Sequence, residues 1–501
     1  MHTEIICRNS RSLRRDARRL ASAAALVSCF IANFACAVTL NPRGVGQALI
    51  YPYYTVNKGQ DTLVSITNAS EIGKAIQVRL REGHNGRDSL SFVLFLGAHD
   101  TWTAALTQTD DLGGAHLNTS DSSCTRPPIP SGGVDLRSAG YDGTSGPADG
   151  GPTNIGRTRE GSIEFIAGGD IDSGSPTELA ITSPAAGGAP GCSDDDFATF
   201  ADDLQDPTEG LYGSASIVNV GQGTFYGYDA DALQGLADDV MFLPGNPYPG
   251  PSLDDASNNE GVDGVARAYI DTMDGHALAL DYAVGIDAVS AVFMADALYN
   301  EYVVGASLGA NTDWVVTFPT KHFYVDSLYG TVPRTPFENA FGPLGSADVA
   351  IWGTVFDREQ NLVPFGAGGL CQLCPSEALP YEVNVIGFGQ PSQDFTSPVL
   401  GSTLDAILMP LAGSAGNAVL QLKILDLRES SAHSLPGGVD PHTGEPVTLV
   451  GLPVTGFMVY NVINAHAQPG MLANYSGLFP HHTTALCYGN VFGCQPDVGG
   501  P

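Results

Sequence analysis

The segment "IYPYYTVNKGQDTLVSITNAS", residues 50–70, contains two runs of β-branched and aromatic residues on either side of a short polar stretch. This pattern predicts a strand, a turn and a second strand. The first run holds three tyrosines and no charge. We expect Tyr51, Tyr53 and the apolar residues beside them to bury one side of that strand in a core. Pro52, which has no amide hydrogen to donate, is expected to hold the strand at a sheet edge.

Similar short runs continue through residues 38–108, separated by Asn, Gly and Asp at a spacing of roughly ten residues, as in the strands of a β-sandwich. One of them, "AIQVRLRE" at residues 75–82, alternates strictly between apolar and polar side chains. The alternation predicts a half-buried strand with one wet face. Its two sets of residues are Ile76, Val78 and Leu80 against Gln77, Arg79 and Arg81.

The composition agrees with a mainly β fold. The 501 residues include 61 glycines and 33 prolines, only 15% are charged, and 43% are hydrophobic. Frequent Gly and Pro suit short strands and long loops, whereas the apolar fraction is large enough to build cores. Because the chain exceeds the usual size of one hydrophobic core, we expect more than one packed unit.

We therefore predict two antiparallel β-sandwich units with long loops rich in Gly, Ser, Pro and Asp. The first unit is expected over residues 38–206, with such loops at 109–160 and 183–206. The segment "EGSIEFIAGGDI" at 160–171 is expected to return to its first sheet. The second unit, residues 207–501, is expected to be a β-rich domain with a packed helix.

Two elements stand out in the second unit. Residues 211–233 predict a hairpin whose turn is Gly221-Gln222-Gly223. Residues 286–304 predict one prominent helix, because apolar residues recur there close to the helical period and Asp287 lies in the first turn.

The first 37 residues predict an export signal. They contain a basic stretch from Arg8 to Arg19, an apolar stretch from Ala21 to Ala35, and small residues before a cleavage point after Ala37. Two alternatives stay open at this stage: lipidation at Cys29, and export through the twin-arginine route. No later segment has about 18 uninterrupted apolar residues, so we expect no transmembrane span in the mature chain.

The formal net charge of −32 makes nucleic acid a poor partner, because binding it needs clustered Lys and Arg. The charge suits solubility outside the cell, with Ca²⁺ as a possible cofactor. The acidic clusters that lie in or beside the loops are Asp194-Asp195-Asp196, Asp170 with Asp172, and Asp202-Asp203 with Asp206. None of them has the full spacing of an EF-hand, so solvated loop charge is the favoured interpretation.

Six cysteines remain after the signal is removed, and an even number in an exported chain indicates disulfides. Proximity in sequence favours three pairs, which are Cys371 with Cys374, Cys487 with Cys494, and, by elimination, Cys124 with Cys192. The Cys371-Cys374 motif also permits a redox pair or half of a zinc site, whose second ligand pair would have to come from His481-His482 or His466 through long-range folding.

The candidate catalytic residues lack the context that their motifs require. Gly305-Ala306-Ser307-Leu308-Gly309 matches the nucleophile-elbow motif, but it follows a predicted helix rather than a strand. His466, His481 and His482 form the densest histidine group, and a bland surface role is favoured for them. We assign no catalytic or cofactor-binding residue.

Two further sets of residues could act on or bind a glycan. Asp357 with Glu359 could form a carboxylate pair for glycoside hydrolysis, although such pairs are common on surfaces. Trp102, Trp314 and Trp352 could stack on sugars, but each lies within an apolar run, so core packing is favoured.

Whole segments resemble a family of uncharacterised exported proteins of Gram-negative proteobacteria. They are "LNPRGVGQALIYPYYTVNKGQDTLVSITN", "LYGSASIVNVGQGTFYGYDADAL", "TDWVVTFPTKHFYVD" and "PGMLANYSGLFP". The resemblance implies export and brings no known activity.

We therefore expect an exported, non-enzymatic β-sandwich protein of the periplasm or cell surface. Its expected role is surface structure, adhesion or ligand binding, with a surface partner or a glycan as its ligand. The alternatives are a secreted hydrolase acting on polysaccharide or ester substrates, and a lipoprotein subunit of an outer-membrane assembly.

Overall fold

The computed structural model describes most of the chain after the predicted signal. The described residues are 37–109, 113–182, 190–192, 199–245, 247–258, 264–272, 275–307, 309–366, 378–388, 396–404, 407–409, 411–423, 433–464, 468 and 473–496. The positions that lie outside the described residues therefore include residues 1–36 of the predicted signal, Cys29, Asp194-Asp195-Asp196, Cys371, Cys374 and His466.

The N-terminal half of the chain forms a sandwich of two antiparallel sheets. Its strands are β1 (Thr39–Leu40), β2 (Ala48–Thr55), β3 (Asp61–Asn68), β4 (Lys74–Glu82), β5 (Asp88–Leu96), β6 (Thr101–Gln108), β7 (Ala115–Asn118), β8 (Thr125–Arg126), β9 (Val134–Asp135), β10 (Glu160–Ile171), β11 (Leu204–Gln205), β12 (Leu211–Asn219), β13 (Thr224–Asp229) and β14 (Asp231–Gln234). A short helix, α1 (Pro176–Ile181), follows β10.

The first sheet has the strand order β1-β14-β2-β10-β4-β5-β8, with β11 paired to β10, and the second has the order β13-β12-β3-β6-β7-β9. The predicted strand, turn and strand are confirmed, but β2 and β3 belong to opposite sheets. The chain crosses the core between them, and the Thr62 hydroxyl donates to the Thr55 carbonyl at 2.8 Å. Alternate residues of both sheets meet in one apolar core.

Strands β12, β13 and β14 belong to this first sandwich. The hairpin of β12 and β13 pairs with β3, and β14 pairs with β2. The expected boundary at 206/207 therefore falls before three strands that the pairing places with the first half. The central position of β10, between β2 and β4, agrees with the predicted return of residues 160–171 to the first sheet.

The rest of the chain is also mainly β. Its strands are β15 (Ala266–Asp271), β16 (Ala277–Tyr282), β17 (Met294–Ala295), β18 (Ala297–Val303), β19 (Ala310–Thr317), β20 (Val349–Ala350), β21 (Trp352–Asp357), β22 (Leu362–Gly366), β23 (Ala378–Leu379), β24 (Val383–Phe388), β25 (Ile407–Met409), β26 (Ala415–Gln421), β27 (Ser434–Val439), β28 (Pro446–Val450), β29 (Leu452–Pro453), β30 (Thr455–Val462), β31 (Tyr475–Pro480), β32 (His482–Thr484) and β33 (Leu486–Tyr488).

Three five-stranded sheets organise this half, with the orders β15-β16-β27-β28-β33, β22-β21-β26-β18-β32 and β25-β24-β19-β30-β31. The last of them, which we call the junction sheet, has apolar residues on both faces. One face packs on the core of the first sandwich and the other on the core of the second half. The helices are α2 (Gly285–Phe293) and α3 (His322–Val325).

The predicted helix is present as α2 but ends at Phe293, and the chain from Met294 continues as strands. In β18 the buried residues alternate, with Leu298, Asn300 and Tyr302 inside. Apolar residues four positions apart fit both the helical and the strand period. The sequence pattern therefore does not show where the helix ends and the strands begin.

The tyrosine-rich strand β2 is buried along its whole length. Tyr51 packs edge-on against Phe165 of the first sandwich, at 5.4 Å between ring centroids. Tyr53 packs edge-on against Phe457 of the junction sheet, at 6.5 Å. The tyrosines are therefore core residues, as predicted, and one of them joins the two halves.

Strand β2 lies inside its sheet, but at Pro52 it has no neighbouring strand on one side. Strand β14 pairs with β2 only as far as Ile50, so Pro52 lies beyond it. The Pro52 carbonyl accepts a hydrogen bond from the Thr317 hydroxyl of the junction sheet at 2.8 Å. The edge is thus covered by the second half.

The prediction of one wet face on β4 is wrong, because all nine of its residues are buried. Its polar side chains are covered by loops and pair there. The Arg79 Nη2 donates to the carbonyls of Pro249 and Gly250 at 3.0 and 3.2 Å. The Arg81 Nε lies 2.8 Å from a Glu164 carboxylate oxygen. Ionic pairing permits burial of these charges, which water would otherwise solvate.

The long loop predicted over residues 109–160 carries more structure than expected. It contains β7, β8 and β9, and it returns Tyr141 and Arg157 to the interior. The Arg157 guanidinium lies 4.1 Å from the centre of the Tyr141 ring. Part of the predicted surface loop therefore covers the core of the first sandwich.

Phe457→Ala is expected to destabilise the whole protein, because the Phe457 ring contacts both Tyr53 and Tyr228 across the junction. Losing a buried Phe costs about 3–5 kcal/mol. Equilibrium unfolding in urea measures the loss. Phe225→Ala, at a ring that is 58% exposed, is the control and should change stability by less than about 1 kcal/mol. Equal losses in the two variants would contradict this interpretation of the junction.

Candidate functional site

The outer face of the sheet β13-β12-β3-β6 is open to solvent. In β3 the residues Thr62, Val64 and Ile66 point into the core, so the alternate residues point outward. We call the outward residues of the four strands the hydroxyl face. It includes Leu63, Ser65, Thr67, Thr101, Thr103, Tyr212, Ser214, Ser216, Val218 and Phe225, with Asp61 and Asp229 at its margin.

Hydroxyl groups pair across the strands of this face. The Thr67 and Thr101 hydroxyls lie 2.8 Å apart, and the Ser65 and Ser214 hydroxyls lie 3.3 Å apart. Leu63 and Phe225 stand above these short side chains, 45% and 58% exposed. The face therefore combines hydroxyl groups with exposed apolar side chains on a flat support.

Phe225 is held by the second half of the chain. The Ser476 hydroxyl, on β31, accepts a hydrogen bond from the Phe225 amide at 3.2 Å and donates to the Phe225 carbonyl at 3.0 Å. The edge of the hydroxyl face is thus fixed by the neighbouring sheet, which preorganises the ring that it presents.

Charge is nearly absent from this face. Its four strands present no Lys or Arg outward, and the acidic residues Asp61 and Asp229 lie at its margin. On a chain with a net charge of −32 this face is therefore nearly uncharged. It disfavours anionic ligands and leaves dispersion and hydrogen bonding as the available interactions.

A second arrangement lies inside the molecule, where the two halves meet. We call it the interior polar cluster, and it consists of Arg81, Glu82, Arg87, Asp149, Arg157, Glu164, His322, Asp326 and Glu382. Its side chains come from β4, β10, α3 and the connecting loops. The partners are far apart in sequence.

Glu82 is its most strongly bound carboxylate. It accepts from the amides of His84 and Asn85 at 2.8 and 2.9 Å, and Arg157 Nη2 lies 2.8 Å from it. Burial alone would raise the pKa of Glu82, but Arg157 and these donors outweigh burial and lower the pKa to about 2. Arg157 also binds Asp149 at 2.7 Å.

Arg87 and Asp326 join the two halves directly. The Arg87 guanidinium donates to both Asp326 oxygens, with Nη2 at 2.8 Å from Oδ1. This bidentate ion pair spans 239 residues of sequence and is almost fully buried. Bidentate Arg-carboxylate pairs are both strong and directional, so the pair fixes the orientation of the halves.

His322 and Glu382 form the least charged part of the cluster. Nδ1 of His322 lies 2.7 Å from Oε2 of Glu382. Burial raises the pKa of Glu382 to about 8, and burial with Arg81 nearby lowers the pKa of His322 to about 3. Near neutral pH the pair is therefore a neutral imidazole and a protonated acid. Both side chains are no more than 1% exposed, which closes them to substrate.

Two further buried carboxylates hold the junction together. Glu160 accepts from the Tyr53 hydroxyl at 2.7 Å and from the Thr403 amide at 2.8 Å. Asp313 accepts from the Leu400 amide at 2.7 Å, and burial raises the pKa of Asp313 to about 6. These interactions connect the first sandwich to the junction sheet and to residues 396–404.

The structure does not bring the suggested catalytic residues together as an elbow motif requires. Ser307 lies in the exposed turn between β18 and β19, where Gly305 bridges to Ala310, and not between a strand and a helix. His481 is directed inward, and its Nε2 lies 2.9 Å from the Val315 carbonyl oxygen. Burial lowers the pKa of His481 to about 3. His482 lies exposed on β32.

The acidic candidates have local structural partners. Asp357 accepts from the amides of Glu359 and Asn361 at 2.9 and 2.8 Å, which closes a turn. Asp203 accepts from the Thr177 hydroxyl at 2.7 Å. Within the described ranges, no group of three or more His, Cys, Asp or Glu is arranged to hold a metal ion.

The remaining residues singled out from the sequence have structural positions. The disulfides Cys124–Cys192 and Cys487–Cys494 are confirmed, with Cα separations of 5.3 and 4.9 Å. Trp102 and Trp314 are core residues, at 1% and 0% exposure, while Trp352 is half-buried. The sequence pointed to neither the hydroxyl face nor the interior polar cluster. The sequence did carry one signal for the interior polar cluster, because charged residues such as Arg81 alternate with apolar residues in a predicted strand.

In the described part of the chain, no helix has the length and apolar character needed to cross a membrane. The chain matches no protein-family model, no curated protein and no solved structure.

Glu382→Gln is expected to remove a pH-dependent loss of stability. The pKa of Glu382 is about 8 in the folded protein, above its ordinary value of 4.5, so stability falls as pH rises between these values. The variant keeps the shape of the side chain but cannot ionise. Relative to wild type, its free energy of unfolding should therefore increase by at least about 1 kcal/mol between pH 5 and pH 8.

Urea unfolding at a series of pH values measures this difference. The exposed Glu301→Gln makes the same chemical change without burial, and its stability relative to wild type should stay constant over this range. If the difference in free energy of unfolding between wild type and Glu382→Gln does not change with pH, the interior acid is ionised at neutral pH and this interpretation is contradicted.

Proposed function

We propose that this chain is an exported, non-enzymatic β-sandwich protein of the periplasm or cell surface, which binds a surface ligand through the hydroxyl face. The observation that carries the proposal is the contrast between a sealed, charged interior and a neutral, open sheet face. A face of this kind supports adhesion or ligand binding, since it offers apolar and hydroxyl groups at the same surface.

The two disulfides support the location. Such bonds persist in oxidising compartments and are rare in the cytosol. Together with the predicted signal in residues 1–37, they favour a site of action outside the cytoplasm.

A non-catalytic role is supported by the structural use of the ionisable groups. Glu82, Arg157 and Asp326 are all engaged in ion pairs that hold loops and halves together. The His322–Glu382 pair is closed to solvent. An acid or base that acts on a substrate must come within hydrogen-bond distance of it, which these positions do not allow.

The ligand that best fits the hydroxyl face is a neutral glycan. Exposed rings such as Phe225 and Tyr212 can pack against the C–H faces of sugars, while Ser and Thr hydroxyls can exchange hydrogen bonds with sugar hydroxyls. Anionic polymers and a second copy of this acidic chain are disfavoured by charge.

A glycan array containing neutral and anionic polysaccharides tests the proposal. The mature protein should bind neutral glycans, and the double variant Leu63→Ser with Phe225→Ser should bind about tenfold or more weakly, because each side chain offers roughly 1–2 kcal/mol of apolar contact. Leu344→Ser, at an exposed leucine outside the hydroxyl face, is the matched control and should bind like wild type.

Binding confined to anionic glycans, no binding to any glycan, or equal binding by wild type and the double variant would each overturn the assignment. Circular dichroism of the variants verifies that the sandwich is intact.

A further inference from the structure

A lysine and an aspartate face each other inside the first sandwich. Lys74 is directly opposite Asp170 in the register of β4 and β10. Lys74 is in phase with Ile76, Val78 and Leu80, the apolar residues of β4, so its side chain lies on the core side of the sheet. A charged side chain in that position requires a specific partner.

The contact between them is short and enclosed. The Lys74 Nζ lies 2.6 Å from the Asp170 Oδ1, with the two side chains at 0% and 1% exposure. Nζ also donates to the Thr208 carbonyl at 2.7 Å, and the Thr208 hydroxyl donates to Asp170 Oδ2 at 2.5 Å. The amine and the carboxyl group are thus held against each other without water access.

A second acid accompanies this pair. Glu209 interacts electrostatically with both Lys74 and Asp170, and burial raises the pKa of Glu209 to about 7. The chain next to Glu209 runs close to Lys74, since a Cβ placed on the following residue, Gly210, would lie 3.5 Å from Lys74 Cε. Oε1 of Glu209 accepts from the Gly235 amide at 2.8 Å. Its Oε2 is buried and has no hydrogen-bond partner among the residues that the structure describes.

We propose that Lys74, Asp170 and Glu209 form a self-modifying site that joins β4 to β10 through an amide bond between Lys74 Nζ and Asp170 Cγ. The proposal concerns the scaffold and does not depend on the ligand of the hydroxyl face.

The reaction is a condensation that needs no co-reactant. A proton passes from the Lys74 ammonium to the Asp170 carboxylate, which leaves an amine and a carboxylic acid. Nζ then attacks Cγ and a new N–C bond forms, while the protonated Glu209 donates its proton to the oxygen of Asp170. The C–O bond breaks, the amine proton returns to Glu209, and one water molecule leaves.

Two physical effects favour this step. The strands hold the reacting groups in place, so the entropy cost of bringing them together is already met by folding. Burial of both side chains keeps bulk water away from the reacting carbonyl carbon, which suppresses the reverse hydrolysis. Glu209 follows Thr208, which hydrogen-bonds to both reacting groups, and in this proposal it acts as the general acid and base.

Intact mass spectrometry of the reduced and alkylated mature protein tests the proposal. Wild type should be one water lighter than its sequence requires, and a proteolytic digest should contain a branched peptide that joins Lys74 to Asp170. Glu209→Gln removes the proton donor with little change in shape, and Lys74→Arg keeps the charge but lacks the amine. Both variants should have the full, unmodified mass.

Wild type of unmodified mass, with Lys74 and Asp170 in separate linear peptides, would overturn the assignment. A water loss that persists in Lys74→Arg would place the modification elsewhere, and one that persists in Glu209→Gln would remove Glu209 from the mechanism. The peptide map of wild type decides the main question even if a variant does not fold.

Discussion

The burial of β2 between two packed layers is the constraint on which the rest of the structure depends. One face of this strand belongs to the core of the first sandwich, and its unpaired edge at Pro52 is closed by the junction sheet. Polar groups on such a strand lose their water and must find partners in the protein. Tyr53 therefore donates to Glu160, which in turn accepts from Thr403 in the second half.

The same requirement explains the interior polar cluster. Once the polar side of β4 is covered, Arg79 and Arg81 need carbonyls and carboxylates. The loop carbonyls of Pro249 and Gly250 and the Glu164 carboxylate of β10 supply them. The ion pair of Arg87 with Asp326 extends this dependence across the junction. Ionisable groups of the interior polar cluster are thus the means by which the two halves are joined.

The sequence predicts the β architecture because alternation with period two is a local property. It predicts the strands on either side of residues 56–60, the hairpin of residues 211–233 and the two described disulfides. It does not predict what covers each strand. Arg79 and Arg81 alternate with apolar residues in the same way whether the polar side of the strand faces water or a loop. The prediction of a wet face on β4 was therefore wrong.

The interior cluster and the hydroxyl face were missed for a related reason. Glu382 is placed beside His322 by the pairing of β24 with β19, and Ser65 is placed beside Ser214 by the pairing of β3 with β12. Each juxtaposition depends on strand order, which no local pattern specifies. The end of α2 was missed because Leu298 and Tyr302 fit a helical and a strand period equally well.

The central claim is that the two halves fold as one cooperative unit across the junction. Trp102 reports on the core of the first sandwich and Trp314 on the junction sheet, each almost fully buried. Two single-tryptophan proteins each retain one of these residues, with the other two tryptophans replaced by Phe. In each protein, urea unfolding is followed both by the fluorescence of the retained tryptophan and by the far-UV circular dichroism of the whole chain. Our account predicts that within each protein the two signals coincide in midpoint and slope. Two separated transitions would show that the halves are independent domains and would contradict it.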